Sequence, residues 1–487
     1  METFVLNCYL FLCFSLILIS DAEISSKIGI NYGQLGNNLP APNLAIEMMN
    51  SMRVGRVKLY DANHEILSNL SKTKFQVSIM IPNNEISGIA NNQTRADQWI
   101  LNNLLPFYPQ TMIRFILVGN EVLSLDSDID RQVWNDLVPA MRRIWSSLKA
   151  NNLQIIRVGT PVAMDVLETT FPPSRGTFRS DIQRTVVAPM LDFLNETRSF
   201  FFANVYPYFA WAADPMNINL DFALFNGNFE QIDGGSGLVY TNLLDEMLDS
   251  LIFAMAKLGY PDIRLVISET GWPTAGDMEQ PGANLLNAAT YNRNLVKRIT
   301  AKPTVGTPAR PKVVIPTFIF SLFDENQKPG SGTERHWGLL SSDGSPNYQI
   351  DLTGKESSVE YDPLPVVENN MPFRGRLWCV AARGVDLMEL GATVDDVCGR
   401  GDGTCEALSP GRECYEPVSV YWHASYAFSS YWSKFRSQGA SCYFNGLAEQ
   451  TTTDPNRKTN VLGERKSTPH SGDPKFHQEE VSRLEET

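Results

Sequence analysis

Ile113–Glu121 reads IRFILVGNE, and the stretch Arg131–Ala150 that follows it is amphipathic. A short, nearly continuous apolar run is what a strand buried on both faces looks like. A helix after such a strand makes it one βα unit of a parallel sheet. The theme repeats outward in both directions. Upstream lie KIGINYG from Lys27, RVKLYD from Arg56 and FQVSIMIPN from Phe75. Downstream lie IIRVGTPVAM from Ile155, FFFANVYPY from Phe200, IRLVISETGW from Ile263 and VIPTFIFSLFDE from Val314. Thr241–Leu258 and Asn284–Ile299 are further amphipathic stretches between them. Eight such units predict an α/β fold, a (β/α)8 TIM barrel. A doubly wound open sheet would want a Gly-rich phosphate loop after its first strand. The chain there reads GINYGQLGNNLP, whose glycines are not spaced G-x-G-x-x-G.

A barrel of this kind keeps its active site at the C-terminal ends of its strands. Two of those ends carry glutamates: VGNE, ending at Glu121, on the fourth, and SETGWP, holding Glu269, on the seventh. Glycosidic bond cleavage with retention uses two carboxyls, one to protonate the leaving oxygen and one to attack the anomeric carbon. Opposite sides of a barrel mouth can supply the pair. A net charge of -13 argues against a nucleic-acid partner, because phosphate binding wants a basic surface. A neutral polysaccharide is indifferent to that sign.

The barrel region from Lys27 to about Asp351 resembles glycoside hydrolase family 17, the plant β-1,3-glucanase family. The motifs are GINYG at Gly29, VGNE at Val118, GTPVAMDVL at Gly159, NVYPYF at Asn204, LVISETGWP at Leu265 and FDENQKPGSGTERHWGLL from Phe323. The resemblance implies that Glu121 is the general acid/base and Glu269 the nucleophile. Asn120 is then expected to hydrogen-bond a sugar hydroxyl, and Tyr206 to orient and ionise Glu269. Tyr32, Phe209 and Trp272 are expected to offer stacking faces to glucose rings. Glu325, Lys328 and Glu334 match the family pattern after the eighth strand, as substrate contacts or as charges that tune the catalytic pair. Packing at the barrel mouth, or a surface ion-pair cluster, is the other role open to these neighbours. No zinc motif is present, and the reaction needs neither metal nor cofactor.

The ends of the chain place the protein. Phe4–Ile19 is an apolar or uncharged run, shorter than the roughly 20 residues a membrane span requires. With small residues at Ser20 and Ala22 it reads as a signal peptide over 1–22. Asn69, Asn92 and Asn195 head glycosylation sequons. Apart from Cys8 and Cys13 in that leader, the cysteines (Cys379, Cys398, Cys405, Cys414, Cys442) crowd into the last quarter. That is the mark of a small disulfide-stapled domain in a secreted chain. LWCVA at Leu377, DDVCG at Asp395, GTCEAL at Gly403, HASYAFSSYW at His423 and ASCYFNG at Ala440 resemble the X8 module, carbohydrate-binding family 43. The resemblance implies disulfides Cys379–Cys442 and Cys398–Cys405, and leaves Cys414 without its partner. Tyr426, Phe428, Tyr431 and Trp432 are its candidate sugar-contacting aromatics, with a core role as the alternative.

The expected organisation is a signal peptide over 1–22, a barrel over 23–355 and a linker over 356–376. A mainly helical X8 module over 377–449 and a disordered tail over 450–487 complete it. The expected activity is a secreted, retaining endo-β-1,3-glucan hydrolase of the cell wall, monomeric, with no integral membrane segment in the mature chain and no lipid-anchor signal in the tail. Its partner is β-1,3-glucan. The competing readings are a mixed-linkage 1,3;1,4-β-glucanase and a non-catalytic β-glucan-binding wall protein.

Overall fold

The computed structural model describes residues 28–124, 127–354, 361–367 and 369–455. The expected signal peptide, part of the expected linker and the tail beyond Pro455 lie outside the described residues.

The barrel strands are β1 (Gly29–Tyr32), β2 (Arg56–Leu59), β3 (Gln76–Ile81), β4 (Met112–Val118) and β5 (Arg157–Gly159). They continue with β6 (Pro161–Ala163), β7 (Phe200–Asn204), β8 (Arg264–Thr270) and β9 (Thr317–Ile319). All pair in parallel: β1 with β2 and β9, then β2–β3, β3–β4, β4–β5, β6–β7, β7–β8 and β8–β9. The two edges of this sheet, β5 and β6, are one run of chain interrupted at Thr160. The ring therefore closes through the chain itself. Pro161 explains the break, because proline has no N–H to give a ladder. Every run expected to be a barrel strand holds one. The expected helices are present as α1 (Asp128–Ala150), α2 (Leu243–Lys257) and α3 (Leu285–Ile299).

Alternation along the strands sorts side chains into two cores. Met80, Phe115, Leu117, Phe200, Phe202, Val266 and Phe318 fill the barrel interior. Val57, Val77, Ile79, Ile116, Phe201, Leu265 and Ile267 face outward into the layer shared with the helices. No described helix is long and apolar enough to cross a membrane.

The C-terminal module pairs β10 (Trp378–Ala381) antiparallel with β11 (Ala448–Thr451) and carries helices α4 (Leu387–Gly399) and α5 (Val420–Phe435). Its strand ends two residues beyond the expected boundary. Cys379–Cys442 and Cys398–Cys405 are bonded, and Cys414 is a free thiol. Phe428 and Trp432 are buried in the module's core rather than offered to a ligand. Tyr431 accepts a hydrogen bond from Arg400 at 2.8 Å. The segment read as a linker is partly held down on the barrel. Asn369 accepts from the Gly282 amide at 2.7 Å, and Asn370 accepts from Asn287 at 2.8 Å. Arg293 lies over the Tyr361 ring at 3.8 Å.

Candidate active site

The chain turns sharply where β4 ends. Gly119 has φ +70°, and a Cβ there would come within 2.5 Å of the Val122 side chain and 2.7 Å of Ile86. Only glycine fits. Two residues on, Glu121 itself has φ +50°, a conformation that non-glycine residues hold only when their surroundings impose it. Its amide is fixed to Pro161 O at 3.0 Å. Its carboxylate accepts from Asn204 Nδ2 at 2.8 Å, and Asn204 in turn accepts from Ser268 Oγ at 2.6 Å. Burial, reinforced by the nearby negative charge of Glu269, pushes the Glu121 carboxyl up to about 7.

Glu269 receives the opposite treatment. A register shift in β8 sets it opposite Asn204. It is 5% exposed. Lys58 donates to Oε1 at 2.6 Å, Tyr60 to the same oxygen at 2.7 Å and Tyr206 to Oε2 at 2.7 Å. Burial alone would raise its pKa. The Lys58 ammonium and the three donated hydrogen bonds outweigh that and hold the carboxyl below its ordinary 4.5. Two carboxyls in one cleft are thus driven apart, one kept protonated and the other ionised. That is the division of labour acid–nucleophile chemistry requires.

Both line a cleft of roughly 1050 Å³, with walls from Phe171 through Tyr206 and Phe209 to Lys328, Glu334 and Trp337. Tyr206 is where the sequence reading put it. Phe209 is 45% exposed, with its ring in the cleft. Lys328 and Glu334 form a 3.0 Å ion pair on the cleft wall. Asn120 has both backbone groups tied to the Asn83 side chain. Its own Oδ1 is buried and accepts no hydrogen bond from the described residues. Three expectations need correcting. Trp272 is 0% exposed. Its indole donates to Gly282 O at 2.8 Å and packs on Tyr208, Trp211 and Tyr291. It supports the mouth from beneath and offers no stacking face. Tyr32 is likewise buried, edge-on to Phe323. Glu325 is buried off the cleft wall and accepts from the Leu35 amide at 2.7 Å, which corrects its reading as a substrate contact; its charge still acts on Glu269.

Sequence reasoning missed Lys58, Tyr60, Asn204, Phe171 and Trp337. Lys58 left a signal: it is a charge in the middle of the buried strand RVKL. Phe171 left a weaker one, as an aromatic before a Pro-Pro turn; it is 61% exposed at the cleft.

Comparison with known proteins finds a family match for each of the two parts of the chain. Residues 28–352 match the model for glycosyl hydrolases family 17, and residues 377–449 match the X8 domain. A probable glucan endo-1,3-beta-glucosidase A6 of Arabidopsis thaliana is 57% identical over 433 residues, covering 89% of this chain and 90% of that one. Among solved structures, CJP38, a beta-1,3-glucanase and allergen of Cryptomeria japonica pollen, is 40% identical with TM-score 0.63. That match covers 67% of this chain and 99% of that one. A plant beta-glucan endohydrolase, one of two with distinct substrate specificities, is 34% identical with TM-score 0.61, covering 66% of this chain and all of that one. With its barrel matched from end to end, the chain belongs to glycosyl hydrolases family 17.

Proposed function

We propose that this protein is an endo-acting β-1,3-glucan hydrolase that retains anomeric configuration, with Glu121 as acid/base and Glu269 as nucleophile. The observation that carries the reading is the opposed setting of the two carboxyls in one cleft, Glu121 raised to about 7 and Glu269 lowered. In the first step Glu121 gives its proton to the glycosidic oxygen while Glu269 attacks the anomeric carbon. The C–O bond breaks and a glucosyl ester forms on Glu269. Esterification removes the Glu269 charge that helps to raise Glu121, so Glu121 becomes the stronger acid and stays ionised. It then takes a proton from water as that water attacks the ester carbon, and Glu269 leaves as carboxylate.

Asn120 Oδ1, a buried acceptor without a donor among the described residues, suits a sugar hydroxyl. Phe209 and Phe171 suit sugar faces, and Lys328 and Glu334 suit hydroxyls. The X8 module supports binding to the polymer. Trp378, Trp422 and Tyr426 line a groove of roughly 300 Å³ among serines, aromatic and hydroxyl chemistry fit for glucan. The division into barrel, connecting segment and module belongs to the same reading, as do secretion to the extracellular space or cell wall and a monomeric state. Disulfides form in oxidising compartments, and Asn69, Asn92 and Asn195 are all exposed for glycosylation.

The test is release of reducing ends from linear β-1,3-glucan and from mixed-linkage 1,3;1,4-glucan. Faster release from the former, with products of several lengths from the start, is expected. Preference for the mixed polymer would reassign the substrate. No release from either would leave a binding protein.

A further inference from the structure

The X8 module is seated on the loops of the barrel mouth. Tyr443 Oη donates to Asn326 O at 2.6 Å, and its ring lies 3.8 Å from the Arg335 guanidinium. Gln450 of β11 accepts from the Met278 amide at 2.8 Å and donates to Glu279 at 2.9 Å. The two anchors thus reach the loops that follow β9 and β8. Those loops are themselves joined. Asp277 accepts from the Gly332 amide at 2.6 Å, and Gln280 accepts from the Thr333 amide at 3.0 Å.

Arg335 explains why this contact reaches the cleft. It is 6% exposed, and its Nη1 donates to Lys328 O at 3.1 Å and to Gly330 O at 3.0 Å. Those bonds stitch the loop that presents Lys328 and Glu334 to the cleft. Tyr443 covers the outer face of the stitch, where a desolvated guanidinium over an aromatic ring gains the most. The module builds Tyr443 into place from its own frame. Cys442, its neighbour, is bonded to Cys379, and Phe444 stacks inward on Phe428 at 4.1 Å. Phe444, Asn445 and Gly446 run through positive φ of 43°, 58° and 91°, turning the chain at this point.

We propose that Tyr443 is a positioning residue for the cleft: the X8 module, docked through Tyr443 and Gln450, holds the 326–335 loop and so the Lys328–Glu334 pair in register with substrate. This rests on the hydrolase reading for its kinetic readout and is independent of it for its structural one.

The experiment compares full-length wild type with Tyr443→Ala, Tyr443→Phe and Gln450→Glu, the last setting a second carboxylate against Glu279. Hydrogen exchange of the 326–335 peptide is measured together with kcat and KM on a linear β-1,3-glucohexaose. Retained binding to insoluble β-1,3-glucan reports that the module is folded. Tyr443→Ala and Gln450→Glu are expected to speed exchange in that loop about tenfold. They are also expected to raise KM about threefold with little change in kcat, and Tyr443→Phe to fall between them and wild type. Wild-type exchange and KM in both Tyr443→Phe and Gln450→Glu overturns the proposal, even if Tyr443→Ala does not fold. If the wild type releases no sugar, the hydrolase reading fails, and loop exchange alone decides the docking.

Discussion

Asn204 donates a 2.8 Å hydrogen bond to Glu121 from a position directly opposite Glu269 in the sheet. One amide on β7 therefore braces Glu121 while its own strand frames Glu269. Because a donated hydrogen bond favours the ionised carboxylate, Asn204 restrains a pKa that burial would carry higher still.

The pH dependence of kcat/KM should be bell-shaped, with its alkaline limb falling near pH 7 as Glu121 loses its proton and its acid limb below about 4.5 as Glu269 gains one. Asn204→Ala should shift the alkaline limb to higher pH, since the bond it removes lowers Glu121. Lys58→Met should raise both limbs, because Lys58 lowers both carboxyls. A Lys58→Met profile with an unmoved acid limb would detach Lys58 from Glu269.

The two glutamates should separate chemically. An aryl glucoside with a good leaving group needs little protonation, so Glu121→Ala should still form the glucosyl-enzyme, and azide should restore turnover to a β-product. With Glu269→Gly, azide should give the α-azide instead. NMR of the first wild-type product should show the β-anomer, and initial α-anomer would sink the role given to Glu269.

Glu121 also sets a pH dependence of stability. Its folded pKa, about 7 against an ordinary 4.5, is raised. Its contribution is therefore fully present below about pH 4.5 and is lost as pH rises through 7. The shift corresponds to about 3 kcal/mol. Glu121→Gln cannot ionise, so it should be more stable than wild type by up to that amount at pH 8 and nearly equal to it at pH 4. Urea unfolding of both proteins at the two pH values checks this. The same difference at both would mean that Glu121 ionises without cost.

Trp272 and Phe209 should give opposite phenotypes. Removing the buried indole in Trp272→Ala should cost about 3–5 kcal/mol of stability. Phe209→Ala, at an exposed ring, should stay within about 0.5 kcal/mol while raising KM for oligosaccharides. Thermal unfolding and steady-state kinetics together distinguish the two.

Much of the barrel was legible because burial on both faces forces each parallel strand into a continuous apolar run, and those runs survive reading one residue at a time. Glu121 and Glu269 were legible for a related reason. Each sits at the end of its run, where the barrel architecture dictates that side chains meet substrate. Lys58 and Tyr60 were passed over because their strand-end neighbours across the barrel are 209 and more residues away in the chain. A lysine inside an apolar strand declares that it needs a partner without saying which.

Trp272 shows where local reading fails. It stands three residues after Glu269, yet it turns away under the mouth. The direction a side chain takes past the end of a strand is set by what packs against it, here Trp211, Tyr208 and Tyr291. The sequence by itself determined the class of fold, the two carboxyls and the two disulfides of the module, through periodicity, position and family pattern. Tertiary structure alone decided which groups hold each carboxyl in its protonation state, which aromatics face the cleft and that Tyr443 reaches Asn326 across 117 residues. Those outcomes depend on desolvation and on contacts between distant segments, and neither is written in the order of neighbouring residues.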